Sequence, residues 1–172
     1  MKSHTDTIRI AGIVKESIVD GPGIRFVIFT QGCLHHCMGC HNPQTHDLCG
    51  GYEIKIDDIK KMIEANPLLD GITISGGEPF LQAEKAVLLA DLAHSLGLSV
   101  MTYTGYQFEE LLAHMNQNPG WQDLLYATDT LVDGKFDITK KNLLLPFRGS
   151  TNQRIIDVKK SLASQRLVSK AV

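Results

Sequence analysis

The sequence contains no run of the roughly 18 apolar residues that a membrane-crossing helix needs, and its opening stretch, MKSHTDTIRI, lacks the apolar h-region of a secretory leader. A cytoplasmic protein with no membrane partner is therefore expected. An excess of one charge is also lacking: 17 Lys and Arg against 19 Asp and Glu leave a formal net charge of -2. Nothing in that balance calls for nucleic acid or an anionic lipid surface. Cysteine is sparse, four residues in 172, and three of them crowd between Cys33 and Cys40. A disulfide framework would spread its cysteines and require an oxidising compartment, so the pattern favours reduced thiols and a metal site. Neither an internal repeat nor a low-complexity segment is visible. What is present, 43% hydrophobic and 21% charged residues, suffices for one core in a single domain over 1–172.

Two segments rich in β-branched and aromatic residues, TIRIAGIV at 7–14 and IRFVIFT at 24–30, read as strands, the second apolar enough to be buried on both faces. DGPG at 20–23 separates them as a turn. Asp57 is placed to cap a helix running to about Ala65, DGITISGGEP at 70–79 reads as strand then glycine turn, and LQAEKAVLLADLAHSLG at 81–97 keeps helical spacing until Gly97 stops it. LSVMTYT at 98–104 is the next strand, a helix follows at about 107–115, a looser stretch holds Pro119 and Trp121, and DTLVDGKF at 129–136 reads as another buried strand. Such alternation implies parallel strands joined by right-handed crossovers, with ligands gathering at the strands' carboxyl ends. A full eight-stranded barrel uses about 250 residues, so the expected architecture is α/β, a partial (incomplete) TIM-like (β/α) barrel. The segment 159–172, KKSLASQRLVSKAV, is polar and poorly patterned, and reads as either a flexible, frayed tail or a partner-docking helix.

The loop leaving the second strand reads CLHHCMGCHNP at 33–43, with cysteines at x3 and x2 spacing and His35, His36 and His41 among them. Zinc is a common occupant of clustered cysteines, and three thiolates plus one of these histidines make four tetrahedral ligands. Structural zinc sites usually pair two ligand-bearing knuckles distant in the chain, however, and Cys49 stands without a second CxxC. An iron–sulfur cubane normally takes four thiolates, so three leave one iron open to a substrate, unless Cys49 or His41 closes the cluster and makes it a simple electron carrier. The residues by themselves leave these alternatives open.

Cys33-x3-Cys37-x2-Cys40 at the end of a barrel strand resembles the signature of radical S-adenosylmethionine enzymes. The resemblance implies that Cys33, Cys37 and Cys40 hold a [4Fe-4S] cluster whose fourth iron takes the amino and carboxylate groups of the methionine moiety of S-adenosylmethionine. It also places Met38 and Gly39 beside the cofactor, where the family often carries an aromatic residue near the last cysteine. SGGEP at 75–79 resembles the family's GGE motif: Ser75, Gly76 and Gly77 allow backbone to approach the ligand, and Glu78 offers a carboxylate to its ammonium group.

DGPGIR at 20–25 and GCHNP at 39–43 resemble the activases of glycyl radical enzymes. Within these, TYTGY at 102–106, VDGKF at 132–136 and RGSTNQRIIDV at 148–158 resemble the activating proteins of anaerobic ribonucleoside-triphosphate reductases. Thr102, Thr104, Asp133 and Lys135, at the ends of later strands, are expected near the cofactor's carboxylate, its ribose or an adjacent cation. A solvated turn around Gly134 and surface ion pairs of Arg148 and Arg154 are the plainer reading of the same stretch. His35, His36 and His41 are read as neighbours of the site, because three cysteines suffice.

The resemblance implies an oxidoreductase without a catalytic acid or base. It would cleave S-adenosylmethionine reductively, at one cluster per chain, to a 5'-deoxyadenosyl radical and place a glycyl radical on its partner, anaerobic ribonucleoside-triphosphate reductase. A low-potential donor such as flavodoxin would supply the electron. An activase of another glycyl radical enzyme, or a short enzyme of the deazaguanine-forming type, is the alternative.

Overall fold

Apolar segments at 24–30, 70–76 and 98–104 do become neighbouring strands of one sheet. The computed structural model describes residues 6–172; residues 1–5, part of the stretch read for a leader, lie outside the described residues. The strands are β1 (Thr7–Ser17), β2 (Arg25–Thr30), β3 (Tyr52–Lys55), β4 (Gly71–Gly76), β5 (Ser99–Tyr103), β6 (Thr130–Asp133) and β7 (Arg154–Asp157). The helices are α1 (Ile56–Glu64), α2 (Ala83–Ser95), α3 (Phe108–His114), α4 (Trp121–Ala127) and α5 (Val158–Ser164).

Sheet order is β3-β1-β2-β4-β5-β6-β7. The central strands β2, β4, β5 and β6 are parallel, as the alternation predicts. The flanks correct that expectation, because β1 is antiparallel to both β2 and β3, and β7 is antiparallel to β6. The connections explain why β2 and β7 run against their preceding neighbours: a parallel return needs a crossover of about a dozen residues or more, usually a helix. The turn at 18–24 is too short for one, and 134–153 holds only a short 3-10 turn at Ile138–Lys140.

Other boundaries differ for local reasons. Helix α1 starts at Ile56, so Asp57 lies inside its first turn with Asp58, where both face the positive end of the helix dipole and do not cap it. The stretch around Trp121 is helical, entered through Gly120 at φ +76. The last predicted strand stops at Asp133, and 134–136 enter a loop. After α5 the chain returns along β7, with Ser169 bridging Ile156 and Lys170 Nζ donating to Thr130 Oγ1 at 2.7 Å.

All five helices pack on one face of the sheet. Ile8, Phe26, Ile28, Ile72, Ile74 and Val100 form a continuous buried cluster with side chains from α1 to α5, and each fully buried side chain of this size contributes about 1.5–3 kcal/mol of hydrophobic stabilisation. The opposite face carries a separate small cluster of Met101, Val132 and Ile155, against which Tyr103 and Phe147 pack. Helices on one face and an open strand order make a partial (β/α) barrel. Arg25 plugs its inner floor, donating through Nε to Thr73 Oγ1 at 3.1 Å and through Nη1 to Ser99 Oγ at 2.7 Å. Space for a ligand is left at the strands' carboxyl ends.

Trp121 gives a direct test of the helical layer. Its buried indole N–H donates to Phe80 O at 2.9 Å. Trp121→Phe is expected to cost about 1–2 kcal/mol by orphaning that carbonyl, seen as a lower urea midpoint at unchanged slope. An unchanged midpoint would show that the bond contributes nothing.

Candidate functional site

Past Thr30 the chain is folded back by its own backbone. Gln31 N–H donates to Arg9 O, Gly32 N–H to Thr45 O and Cys33 N–H to His46 O, at 3.0, 2.8 and 3.3 Å. Gln31 Nε2 ties down the far limb, donating to Gln44 O and Asp47 O. The loop so held carries Cys33 buried, Cys37 and Cys40 half-buried and Cys49 exposed, all as free thiols. Each of the first three sulfurs accepts a backbone N–H: Cys33 from His35, Cys37 from Phe136, and Cys40 from Asn42 at 3.4 Å. Burial pushes the Cys33 thiol up, against the His35 N–H. Burial likewise raises that of Cys37, opposed by the Phe136 N–H and by Lys135. Thiols held protonated in this way give up their protons when a metal binds, which couples metal uptake to proton release.

The glycine turn after β4 is stitched to the start of the same loop. Gly77 N–H donates to Thr30 O and Glu78 N–H to Gly32 O, both at 2.8 Å. Gly76 has φ +100, and a Cβ on Gly77 would stand 2.2 Å from Gly32 O. Only glycine permits that backbone approach.

One open cavity of about 640 Å³ lies at the strands' carboxyl ends, and its lining includes Cys33, Cys37, Cys40, Ser75, Gly76, Gly77, Thr104 and Lys135. The sequence-predicted residues therefore converge, with exceptions. Thr102 faces the helices, where its hydroxyl pairs with Thr128 Oγ1 at 2.9 Å. Asp133 is buried against Arg154, whose Nε donates to it at 3.0 Å, and it accepts from Phe108 N–H at the start of α3. Both are corrected from cofactor-facing to structural positions. Met38 is 78% exposed and is not part of the lining; the residue just before Cys40 is Gly39, which abuts Ile138.

Glu78 also departs from expectation. Its carboxylate does not line the cavity and is 1% exposed. It accepts from Phe80 N–H at 3.0 Å, Thr104 Oγ1 at 3.0 Å and Gly105 N–H at 2.9 Å, and faces His35 Nε2. A carboxylate so occupied organises the turn and has no free oxygen edge to offer an ammonium group.

Sequence reading missed Tyr103 and Phe136. Tyr103 lines the cavity, its hydroxyl donating to Phe147 O at 2.5 Å, and burial pushes its ionisation far up so that it stays neutral. Period-two alternation was the available signal: Tyr103 and Thr102 point to opposite faces of β5. Phe136 supplies its backbone N–H to Cys37, for which no sequence signal exists.

The donor set suits an iron–sulfur cluster. Among the described residues no three His, Cys, Asp or Glu side chains come close enough together to hold a single metal ion. His36 packs edge-on against His46, and His41 lies tilted against Phe136. Three soft sulfur donors, each already hydrogen-bonded, are what a cluster with one corner left to another ligand needs. Cys49 is absent from the cavity lining, and its carbonyl accepts from Arg9 Nη1.

Comparison with known proteins agrees. A family model described as a 4Fe-4S single cluster domain matches residues 19–156. The pyruvate formate-lyase-activating enzyme of Clostridium pasteurianum is 40% identical over 115 residues, which cover 62% of this chain but only 48% of that enzyme. The chain thus spans about half the length of that relative. The anaerobic ribonucleoside-triphosphate reductase-activating protein of Pasteurella multocida is 32% identical over 146 residues, 80% of this chain and 90% of that protein. Among solved structures, QueE from Escherichia coli aligns over 58% of this chain and 53% of its own, with 19% identity and a TM-score of 0.46.

Proposed function

Because the chain belongs to the radical S-adenosylmethionine family of 4Fe-4S single cluster domains, alongside the anaerobic ribonucleoside-triphosphate reductase-activating proteins, we propose that it installs a glycyl radical on an anaerobic ribonucleoside-triphosphate reductase. The observation that carries this reading is the convergence of Cys33, Cys37 and Cys40 with Ser75, Gly76 and Gly77 around one open cavity. Cys33, Cys37 and Cys40 hold one [4Fe-4S] cluster per chain. The backbone of 75–77, with Thr104 and Lys135, receives S-adenosylmethionine beside it.

Held by Cys33, Cys37 and Cys40, the cluster would supply the single electron for reductive cleavage of the sulfonium's bond to the 5'-carbon, and the 5'-deoxyadenosyl radical released beside methionine would take a hydrogen atom from a glycine α-carbon of the partner. The chain itself contributes placement. Backbone N–H groups of His35, Phe136 and Asn42 stabilise charge on the three sulfurs and so favour the reduced form. Lys135 adds a cation at the cavity wall, suited to the cofactor's carboxylate. Phe29, Tyr103, Leu145 and Phe147 line the walls with apolar surface that keeps water from a reactive intermediate. The open side of the barrel admits a loop of a folded partner.

The same proposal includes a cytoplasmic setting and a low-potential donor such as a flavodoxin. No helix among the described residues is long and apolar enough to cross a membrane, and the near-neutral charge gives nucleic acid no footing.

Anaerobic incubation of the reconstituted protein with purified reductase, reductant and S-adenosylmethionine is expected to give a glycyl doublet by electron spin resonance. The identity to the Clostridium pasteurianum enzyme favours one second reading, an activase of a different glycyl radical enzyme. Cofactor cleavage without a doublet on the reductase, but with one on pyruvate formate-lyase, would select it. Cleavage with neither would move the chain to a small-molecule substrate.

A further inference from the structure

His35 sits in the middle of the x3 spacer and reaches both sides of the site. Its backbone N–H is directed at the Cys33 sulfur. Its ring Nε2 lies 2.6 Å from Glu78 Oε2, with the two side chains 9% and 1% exposed. The ring is fixed on both sides: Tyr106 meets it edge-on at a centroid distance of 4.7 Å, and a Cβ on Gly105 would stand 2.3 Å from its Cδ2. Glu78 already accepts from Phe80, Thr104 and Gly105. The imidazole edge that meets Glu78 Oε2 at 2.6 Å is therefore the donor of that hydrogen bond.

We propose that His35 is a positioning residue, its Nε2–H bond to Glu78 locking the cysteine loop to the Gly76–Gly77 turn and the end of β5, so that cluster and S-adenosylmethionine keep one spacing. The proposal rests on the assignment of Cys33, Cys37 and Cys40 as cluster ligands. The logic is that of an outer group orienting a metal ligand: the loop's first cysteine and the cofactor strip lie on different elements, and their relative position is set by whatever bridges them. Sequence separation makes the bridge non-trivial, since His35 and Glu78 are 43 residues apart. Removing such partners in metal sites typically costs about 10–100-fold in metal affinity or activity.

The test uses the full chain, reconstituted anaerobically with iron and sulfide. His35→Phe keeps a ring against Tyr106 and deletes the N–H, His35→Gln keeps a donor, and Ile59→Val, at a fully buried position of α1 outside the cavity lining, destabilises the fold away from the cavity. Three quantities are read: the rate of iron release to a chelator, KM against kcat for S-adenosylmethionine cleavage, and melting of the apoprotein. His35→Phe is expected to release iron about tenfold faster or more and to raise KM about tenfold with a smaller change in kcat. His35→Gln recovers part of both, and Ile59→Val loses melting temperature while releasing iron as the parent does.

Parent-like release and KM in His35→Phe would overturn the proposal. So would equally fast release in Ile59→Val, or an apo His35→Phe chain that fails to melt cooperatively, because either result would mean a general role in folding. A parent chain that takes up no iron would instead sink the ligand assignment itself, an outcome distinct from a loaded parent beside an indifferent variant.

Discussion

Alanine at Cys33, Cys37 or Cys40 is expected to reduce reductive cleavage of S-adenosylmethionine to the level seen without protein, while Cys49→Ser keeps the parent rate and iron content. Thiolate binding of a metal centre is worth about 10–16 kcal/mol over four ligands in small zinc domains, or roughly 2.5–4 kcal/mol per ligand. Losing one of three therefore weakens retention on the order of a hundredfold to just under a thousandfold. The fold should survive, because Cys37 and Cys40 are half-buried and the Cys33 side chain is small. Melting of the apoproteins separates the two effects, with shifts of about 1 kcal/mol or less expected for Cys37 and Cys40. Iron and sulfide content, then 5'-deoxyadenosine produced under dithionite, measure the site. One alanine variant at the parent rate would sink the ligand assignment. Loss of the cluster in Cys49→Ser would point to a fourth protein ligand and a closed, electron-carrying centre, against the position of Cys49 outside the cavity.

The part of this site that was legible in the sequence is the part made by neighbours in the chain. The cysteine triplet and Ser75–Gly76–Gly77 follow from local chemistry, since thiolate spacing and a glycine pair after a strand mean much the same in any context. The four parallel strands were visible because each is an apolar run with glycine or proline punctuation. Strands β3 and β7 are four residues each, too short for periodicity to register, and β3 has no buried residue to mark it. Helix α4 was hidden because Pro119 and Gly120 immediately precede it and read as a break.

Pairings over distance were illegible for a physical reason. Asp133 and Arg154 are 21 residues apart, and nothing local says that the carboxylate will be drawn away from the cavity. Glu78 shows the same limit: the motif forecast a carboxylate facing the ligand, but tertiary packing brought Thr104, Gly105 and His35 to it first. Thr102 differs, because strand alternation alone could have turned it away from the cavity that Tyr103 faces.

Gly77→Ala is expected to leave a folded protein that takes up iron yet cleaves S-adenosylmethionine about a hundredfold more slowly. The methyl group would stand 2.2 Å from Gly32 O and 2.8 Å from Gly32 C, so backbone must move by about 1 Å to restore ordinary contact. Both groups that would move border the reaction: Gly77 lines the cavity, and Gly32 immediately precedes Cys33. A displacement of about 1 Å between reacting partners can cost about 100-fold even when every functional group is present. The lost bonds, Gly77 N–H to Thr30 O and Glu78 N–H to Gly32 O, add about 1 kcal/mol each to the cost in stability. Gly12→Ala is the matched control, since a Cβ there meets nothing within 4 Å and should change stability by no more than about 0.5 kcal/mol. Cleavage at the parent rate in Gly77→Ala would mean that the turn tolerates the shift, and that the spacing between the cysteine loop and the glycine strip does not govern the reaction.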